Sequence, residues 1–425
     1  MIQLNQHNDN LKVQFESNLD DFSLETITNF VSLDSIDLIL RECLDIDEMR
    51  EAGSFFTGQQ LASKLIDKFD GSITTSSVFL DPTCGAGNLL IECSRKLEIK
   101  AGLAETLYEW GKVLHGMDIH NSFIEACKLR LIFEAMNRGA KKDCPLQAAL
   151  DLLPSIRVAD VMATTRKDFD NITHVAMNPP FTSWTAPKNS FWKKGKVNSA
   201  GVVFEHIIEL IPCASKISAI LPDVLRSGSR YSKWREYTAC NFSGLCEIHG
   251  RFNKKTDVDV FILSGEKRYN IDNNILWSPT INSSEHRTLS DEYKICIGPL
   301  VSYREPKIGN SYPYIHPRTA PSWGTMTTYS EYRQFSGKVF KPPFVVIRRT
   351  SSPSDNYRAV GTLITGNEFI AVENHMIILK PLSGGLNSCK KLMALLKSDE
   401  TSIFLNENIR LRHLTIDIVK RIPMK

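Results

Sequence analysis

Several features are missing from this sequence, and each absence narrows the reading. No apolar run approaches the roughly 20 residues that span a bilayer, and the polar start, Met1 to Asp20, carries no signal-like apolar segment. Together these predict a cytoplasmic protein with no membrane partner. The ten cysteines are scattered, without a Cys-x-x-Cys pair or a Cys/His cluster at zinc spacing. Neither a disulfide framework nor a metal site is therefore expected, and reduced, mostly buried thiols are the simpler account. A large excess of either charge is missing too, since the net charge is only +3.

That balance hides an asymmetry. Residues 301–425 hold 18 Lys+Arg against 9 Asp+Glu, leaving 33 against 39 in residues 1–300, so a +9 third follows a −6 body. A basic module on an acidic body faces a polyanion, or simply presents a solvated face. At 425 residues the chain is long enough for two domains, each with its own core. Residues 1–50 read as a polar lead and a helical packing extension, 51–270 as a main domain, and 271–425 as a basic module. The boundary is set by a shift to short polar segments and then to Pro, Tyr and Arg.

The main domain alternates strand and helix. Ser77 to Leu80 is a short apolar strand, Asp81-Pro82-Thr83-Cys84-Gly85-Ala86-Gly87-Asn88 a tight turn, and Leu89 onward a helix. The glycines let backbone approach a ligand, and the helix start offers amide donors. The spacing is neither the Gly-x-Gly-x-x-Gly of dinucleotide enzymes nor a P-loop, so phosphate is not the expected ligand. A second strand ends in Asp118, where a carboxylate can accept both hydroxyls of a ribose. A third, Ile156 to Val158, leads to Asp160, Val161 and Met162, placed to meet an adenine amine and its ring. Taken singly, each such acid is equally at home as a turn residue. Upstream, Thr57 stands where a helix N-cap belongs. A fourth apolar run, Thr173 to Met177, stops at Asn178-Pro179-Pro180-Phe181, a rigid loop at a strand end. The pattern is a doubly wound α/β fold around a parallel sheet.

In that order Phe56-Thr57, Asp81-Pro82-Thr83-Cys84-Gly85-Ala86-Gly87, Asp118, Asp160 and Asn178-Pro179-Pro180-Phe181 resemble the adenine-N6 DNA methyltransferases of restriction-modification systems, in their γ arrangement. The match covers roughly residues 50–265. Asn-Pro-Pro-aromatic alone also occurs in enzymes that methylate protein glutamine or RNA. The resemblance implies S-adenosylmethionine as cofactor, a Rossmann-like methyltransferase domain, and double-stranded DNA as partner. It implies that Phe56 and Thr57 lie at the methionine carboxylate, and that Asp81, Cys84, Gly85 and Gly87 hold the methionine moiety. Asp118 would take the ribose, and Asp160 and Val161 the adenine. Asn178 and the Pro179 carbonyl would accept from the target amine, Pro180 would stiffen the loop, and Phe181 would stack on the base.

Glu205 and His206 read as helix surface. Phe252, in what reads as a turn before the strand Val258 to Leu263, stands where the resemblance implies an aromatic that stacks on the flipped base, or else is core filler beneath that hairpin. Lys254 and Lys255 beside it, and Lys193 and Lys194 in the aromatic and cationic stretch Trp184 to Lys196, either meet DNA or decorate a solvated loop. The basic third, an α+β module, resembles the target-recognition domains of type I specificity subunits and single-chain type II methyltransferases. Arg348, Arg349 and Arg358 there reach guanines or phosphates, or form surface salt bridges. Three activities stay open: a self-sufficient DNA methyltransferase, a DNA-binding modification-like subunit that needs a specificity or nuclease partner, and a protein glutamine methyltransferase.

Overall fold

The computed structural model describes residues 2–17, 24–34, 57–188, 191–192, 194–252, 258–269, 275–278 and 287–424. The chain divides into two compact units, 1–275 and 276–425.

The first unit is built on a seven-stranded sheet. Its strands are β1 (Phe79–Asp81), β2 (Leu114–Asp118), β3 (Ile156–Val158), β4 (His174–Met177), β7 (Lys216–Pro222), β8 (Phe242–Arg251) and β9 (Asp259–Lys267). They lie in the order β3-β2-β1-β4-β7-β9-β8. β3, β2, β1, β4 and β7 pair in parallel, whereas β9 runs antiparallel between β7 and β8. β1 and β4 are buried along their whole length, as expected of strands covered on both faces. β8 is longer than the turn that the sequence suggested there. Its burial hardly alternates, and at the sheet edge Leu245 is 75% exposed, so period-2 patterning gave no signal.

The order of strands decides where a site can form. From β1 the chain moves outward to β2 and β3, then returns to β4 on the other side of β1. At that reversal the two loops leaving the carboxyl ends of β1 and β4 diverge and open a crevice between them. The first loop is Pro82 to Gly87, and the second begins at Asn178.

Helices Gln59–Asp67, Asn88–Ser94, Leu103–Val113, Asn121–Asn137 and Ser199–Leu210 flank the sheet. The N-terminal segment belongs to this unit. Helices Ile2–Glu16 and Leu24–Val31 pack on Asn121–Asn137, where Phe15 and Phe30 meet Phe133 edge-on at 6.5 and 5.5 Å. No helix among the described residues is long and apolar enough to cross a membrane.

The second unit is α+β. A five-stranded sheet, β10-β17-β14-β15-β12, joins Tyr293–Ile297, Met376–Pro381, Phe344–Arg348, Gly361–Ile364 and Thr325–Met326. A three-stranded sheet, β13-β11-β16, joins Tyr332–Phe335, Asn310–Ile315 and Ala371–Val372. Val345 and Ile347 face a core shared with Leu392 and Leu396 of helix Gly385–Leu396, and Val346 faces a second core with Ile315 and Ile370. Both faces of β14 are covered, which explains its unbroken apolar run.

Candidate active site

The crevice at the strand reversal is a cavity of about 380 Å³ in the first unit. Asp81 comes from the end of β1, Thr83, Cys84 and Gly85 from the loop after it, Asp118 from the end of β2, Asp160 and Val161 from just beyond β3, and Asn178 and Pro180 from just beyond β4. The fold therefore gathers into one wall residues spread over about a hundred positions.

The loop after β1 is shaped by backbone that side chains disfavour. Gly85 and Gly87 have φ of 50° and 87°, the left-handed region that glycine enters without steric cost. The Cys84 amide donates to the Met117 carbonyl at 2.8 Å, and the Gly85 amide donates to Asp118 Oδ2 at 3.2 Å. Asp118 Oδ1 accepts from the His120 amide at 2.9 Å. Each oxygen keeps a lone pair for a ligand hydroxyl.

Two carboxyls face this cavity, Asp81 buried and Asp118 half-buried. Burial, together with the nearby Asp118, pushes Asp81 up to about 8, although the Thr83 amide at 3.2 Å opposes the shift. Burial likewise raises Asp118, against amide bonds and His120. The Thr83 hydroxyl, also in this wall, is buried and finds no hydrogen-bond partner among the described residues.

The reverse turn of the loop is held from behind by Arg130. This side chain is wholly buried, and burial lowers it to about 10. Its guanidinium donates to the Ala86 carbonyl at 2.6 Å, to Asn88 Oδ1 at 2.7 Å, to the Ser32 carbonyl at 2.9 Å and to the Phe30 carbonyl at 3.1 Å. Asn88 in turn donates to the carbonyls of Leu33 and Thr57 at 2.9 and 2.8 Å. Sequence reasoning missed both residues. The available signal was a lone cation inside the apolar stretch Leu129 to Phe133, which calls for a buried set of acceptors.

Thr57 lies at the rim of the same wall, 3% exposed. It does not cap the following helix, contrary to expectation. Gly58 occupies the N-cap, and the first free amide, that of Gln59, donates to Asp34 Oδ1 at 3.1 Å. The Thr57 hydroxyl instead accepts from Asn178 Nδ2 at 3.1 Å. The turn after Asn178 is clasped by the start of helix Ser199–Leu210. Ser199 Oγ donates to the Pro180 carbonyl, and the Ser199 amide donates to the Thr182 carbonyl at 2.9 Å.

The aromatic pair is brought together in an unexpected pose. Phe181 and Phe252 meet edge to face, with centroids 5.9 Å apart and planes at 80°. Phe252 is 6% exposed and belongs to the main core, against which Phe181 packs. A base sandwiched between parallel rings needs roughly 7 Å, twice a stacking distance of about 3.5 Å, so the pair is closed here.

The stretch Trp184 to Lys196, read as a loop, is flanked by a small antiparallel pair, β5 (Ser183–Thr185) and β6 (Lys196–Asn198). Trp184 lines the cavity. Trp192 is buried, meets Tyr231 edge-on at 6.0 Å, and donates to Glu205. Glu205 is pushed by burial to about 7, and His206 Nε2 bonds the Thr164 hydroxyl at 3.2 Å. Neither is the solvated surface residue expected from sequence. Lys194 is exposed, while Phe56, Lys193, Lys254 and Lys255 lie outside the described residues.

In the second unit Arg358 corrects its prediction. It is fully buried and donates to Ser351 Oγ, Asn406 Oδ1 and the carbonyls of Ile409 and Leu411 at 2.6–3.1 Å. A guanidinium committed to interior acceptors cannot also reach DNA. Arg348 and Arg349 are half-buried, and Arg348 donates to the Ala320 carbonyl at 3.1 Å. Among the described residues no group of three or more His, Cys, Asp or Glu is placed to hold a metal.

The model of the N-6 DNA methylase family matches residues 39–269. Among solved structures, the type IIL restriction-modification enzyme MmeI, in complex with DNA, is similar with a TM-score of 0.57 at 11% identity, over 93% of this chain and 70% of that one. The type IIG restriction endonuclease BpuSI gives a TM-score of 0.43 at 14% identity, over 92% of this chain and 61% of that one. The M protein of the type I restriction enzyme EcoKI gives 0.37 at 16%, over 56% and 48%. At such identities a likeness shows the fold alone. The chain spans less than two thirds of the length of the BpuSI chain. A search of curated proteins finds no match.

Proposed function

As the chain belongs to the N-6 DNA methylase family, we propose that it transfers a methyl group from S-adenosylmethionine to N6 of an adenine flipped out of double-stranded DNA, as the modification enzyme of a restriction-modification system. The observation that carries this reading is the single cavity into which Asp81, Gly85, Asp118, Asp160 and Asn178 all converge.

The cavity suits the cofactor. Asp118 has acceptor capacity for the ribose, Asp160 and Val161 line the same cavity and would meet the adenine, and the Thr83 hydroxyl, without a hydrogen-bond partner among the described residues, offers a polar group to a ligand. Phe56 and Thr57 would lie at the carboxylate, and Cys84 and Gly87 beside the methionine moiety. When bound, S-adenosylmethionine supplies an already activated methyl group, so the protein's task is alignment and electrostatics.

The exocyclic amine of adenine is a weak nucleophile because its lone pair is delocalised into the ring. Asn178 Oδ1 and the Pro179 carbonyl each accept one amine hydrogen, which favours a pyramidal nitrogen with its lone pair directed at the methyl. Pro179 and Pro180 keep this turn stiff. Phe181 lies on the base and stabilises developing positive charge. Unstacking the base costs a few kcal/mol, and the base must also part Phe181 from Phe252, so entry is coupled to a local rearrangement. Lys194, Arg348 and Arg349 are left as cations for the DNA backbone or base edges, with Lys193, Lys254 and Lys255.

Purified chain incubated with labelled S-adenosylmethionine and a mixture of DNA, RNA and protein tests this. Label in DNA at adenine N6, abolished by Asn178→Ala, is the expected result. Label confined to protein overturns it in favour of a glutamine methyltransferase, and label nowhere favours a subunit that requires a specificity or nuclease partner.

A further inference from the structure

Thr57 stands between the two halves of the site, and its surroundings give it a role beyond holding the cofactor. A carboxamide has two chemically opposite ends, an NH₂ that only donates and an oxygen that only accepts. Turning the Asn178 side chain by half a rotation exchanges those ends at little steric cost. In one orientation oxygen meets the adenine amine; in the other, donor meets donor and the amine is repelled. Among the described residues, a neighbour that distinguishes the ends is the Thr57 hydroxyl, which accepts from Asn178 Nδ2 at 3.1 Å.

A hydroxyl discriminates only while its own proton is engaged elsewhere. With that proton free, it can donate to the carboxamide oxygen as readily as it accepts from the nitrogen. An acceptor on the far side of Thr57 removes this choice. Resting on the cofactor assignment proposed above, we infer that the cofactor's carboxylate takes the Thr57 proton and thereby fixes Asn178 with its oxygen toward the base. Thr57 is then a positioning residue that couples cofactor binding to recognition of the adenine amine.

The backbone around Thr57 is suited to such a relay. The Thr57 carbonyl is held at 2.8 Å by Asn88 Nδ2, and Asn88 Oδ1 is held at 2.7 Å by Arg130. Asn88 and Arg130 are both buried, at 3% and 0% exposure. The hydroxyl therefore hangs from a fixed point, and its freedom is rotation about the side chain, the motion through which a proton is committed to one partner or the other.

Linkage makes the proposal measurable without turnover, because coupling between two ligands is reciprocal. Once labelled product has located a target site, the affinity of a duplex carrying that site is measured by fluorescence anisotropy, with and without S-adenosylhomocysteine, which retains the carboxylate. The wild type is expected to bind the duplex at least about fivefold more tightly with this cofactor product. The gain should vanish with a decarboxylated cofactor analogue, and with a duplex carrying purine, which lacks the amine, at the target position. Thr57→Val, matched in size, should lose the gain, and Thr57→Ser should keep it.

Equal coupling with the decarboxylated analogue, or with purine, overturns the proposal, as does a Thr57→Val protein that retains the full gain. So does equal loss in Thr57→Val and Thr57→Ser, which would make Thr57 a packing residue. The analogue and purine arms use wild-type protein, so the proposal remains falsifiable if a variant fails to fold. A wild type that methylates no DNA would instead remove the functional reading, a separate outcome seen before any coupling is measured.

Discussion

Gly87→Ala is the substitution that most directly tests how the loop after β1 is built. Gly87 sits at the N-cap of helix Asn88–Ser94 with φ of 87°. A non-glycine residue there carries about 1–2 kcal/mol of left-handed strain. The added methyl would also lie 2.4 Å from Cys127 Sγ, 3.1 Å from its Cβ and 3.3 Å from its Cα. Cys127 is wholly buried and has nowhere to retreat, so overpacking adds about 1–3 kcal/mol. The sum, about 2–5 kcal/mol, is a large fraction of the 5–15 kcal/mol that holds a typical domain together. Urea denaturation followed by tryptophan fluorescence should show a lower midpoint for the first unit, where Trp110 and Trp234 are buried, with the second unit unchanged. Calorimetry should show weakened binding of S-adenosylmethionine. In Gly87→Ala/Cys127→Ala the sulfur is gone and the nearest atom is the old Cβ at 3.1 Å. Part of the packing cost should return while the strain remains. A Gly87→Ala midpoint shifted by less than the equivalent of about 1 kcal/mol, with cofactor affinity intact, would refute the reasoning.

Other consequences follow from buried charge. Asp81 is raised by burial from 3.8 to about 8, so between those values the folded state keeps a proton that the unfolded chain has released. Its contribution to stability falls as pH rises through that window and levels off above about pH 8. Asp81→Asn should therefore melt relatively higher than wild type at pH 9 than at pH 5, and a pH-independent difference would contradict the assignment. His174, lowered by burial to about 4, acts in the opposite sense: its contribution is present above about 6.5 and fades as pH falls toward 4. His174→Gln should flatten the acid limb of the melting-temperature profile. Arg358→Met should lower the stability of the second unit by at least about 2 kcal/mol, because its interior acceptors lose their donor; if that variant melts normally and only loses DNA affinity, the buried role is wrong. Arg130→Met should weaken cofactor binding and expose residues 30–33 to faster amide exchange, and unchanged exchange would remove the clamp.

Much of the first unit is legible in sequence because its signals are local. β1, β2 and β4 are short apolar runs ended by Asp81, Asp118 and Asn178, so both the strands and the ligand-facing ends can be read from spacing. Glycine at 85 and 87 is required by backbone that only glycine adopts freely. Legibility failed where a side chain's partner is remote. Arg130 answers to carbonyls at Phe30 and Ser32, about a hundred positions away. Arg358 answers to Ile409 and Leu411, which is why an exposed role looked reasonable for it. Thr57 looked like a cap because Thr before a helix usually is one, yet Asp34 serves that amide.

The sequence by itself determined the inventory: a parallel α/β unit, a glycine loop, acids at strand ends, and an amide followed by two prolines and an aromatic ring. These are properties of residue type and short-range spacing, and they survive without coordinates. Only the tertiary structure decided orientation. It took the strand reversal to set Asn178 opposite the glycine loop, a distant Thr57 hydroxyl to accept from its carboxamide nitrogen, and a shared core to close Phe181 against Phe252. Orientation depends on partners distant in the chain, and a linear pattern does not record which distant groups meet.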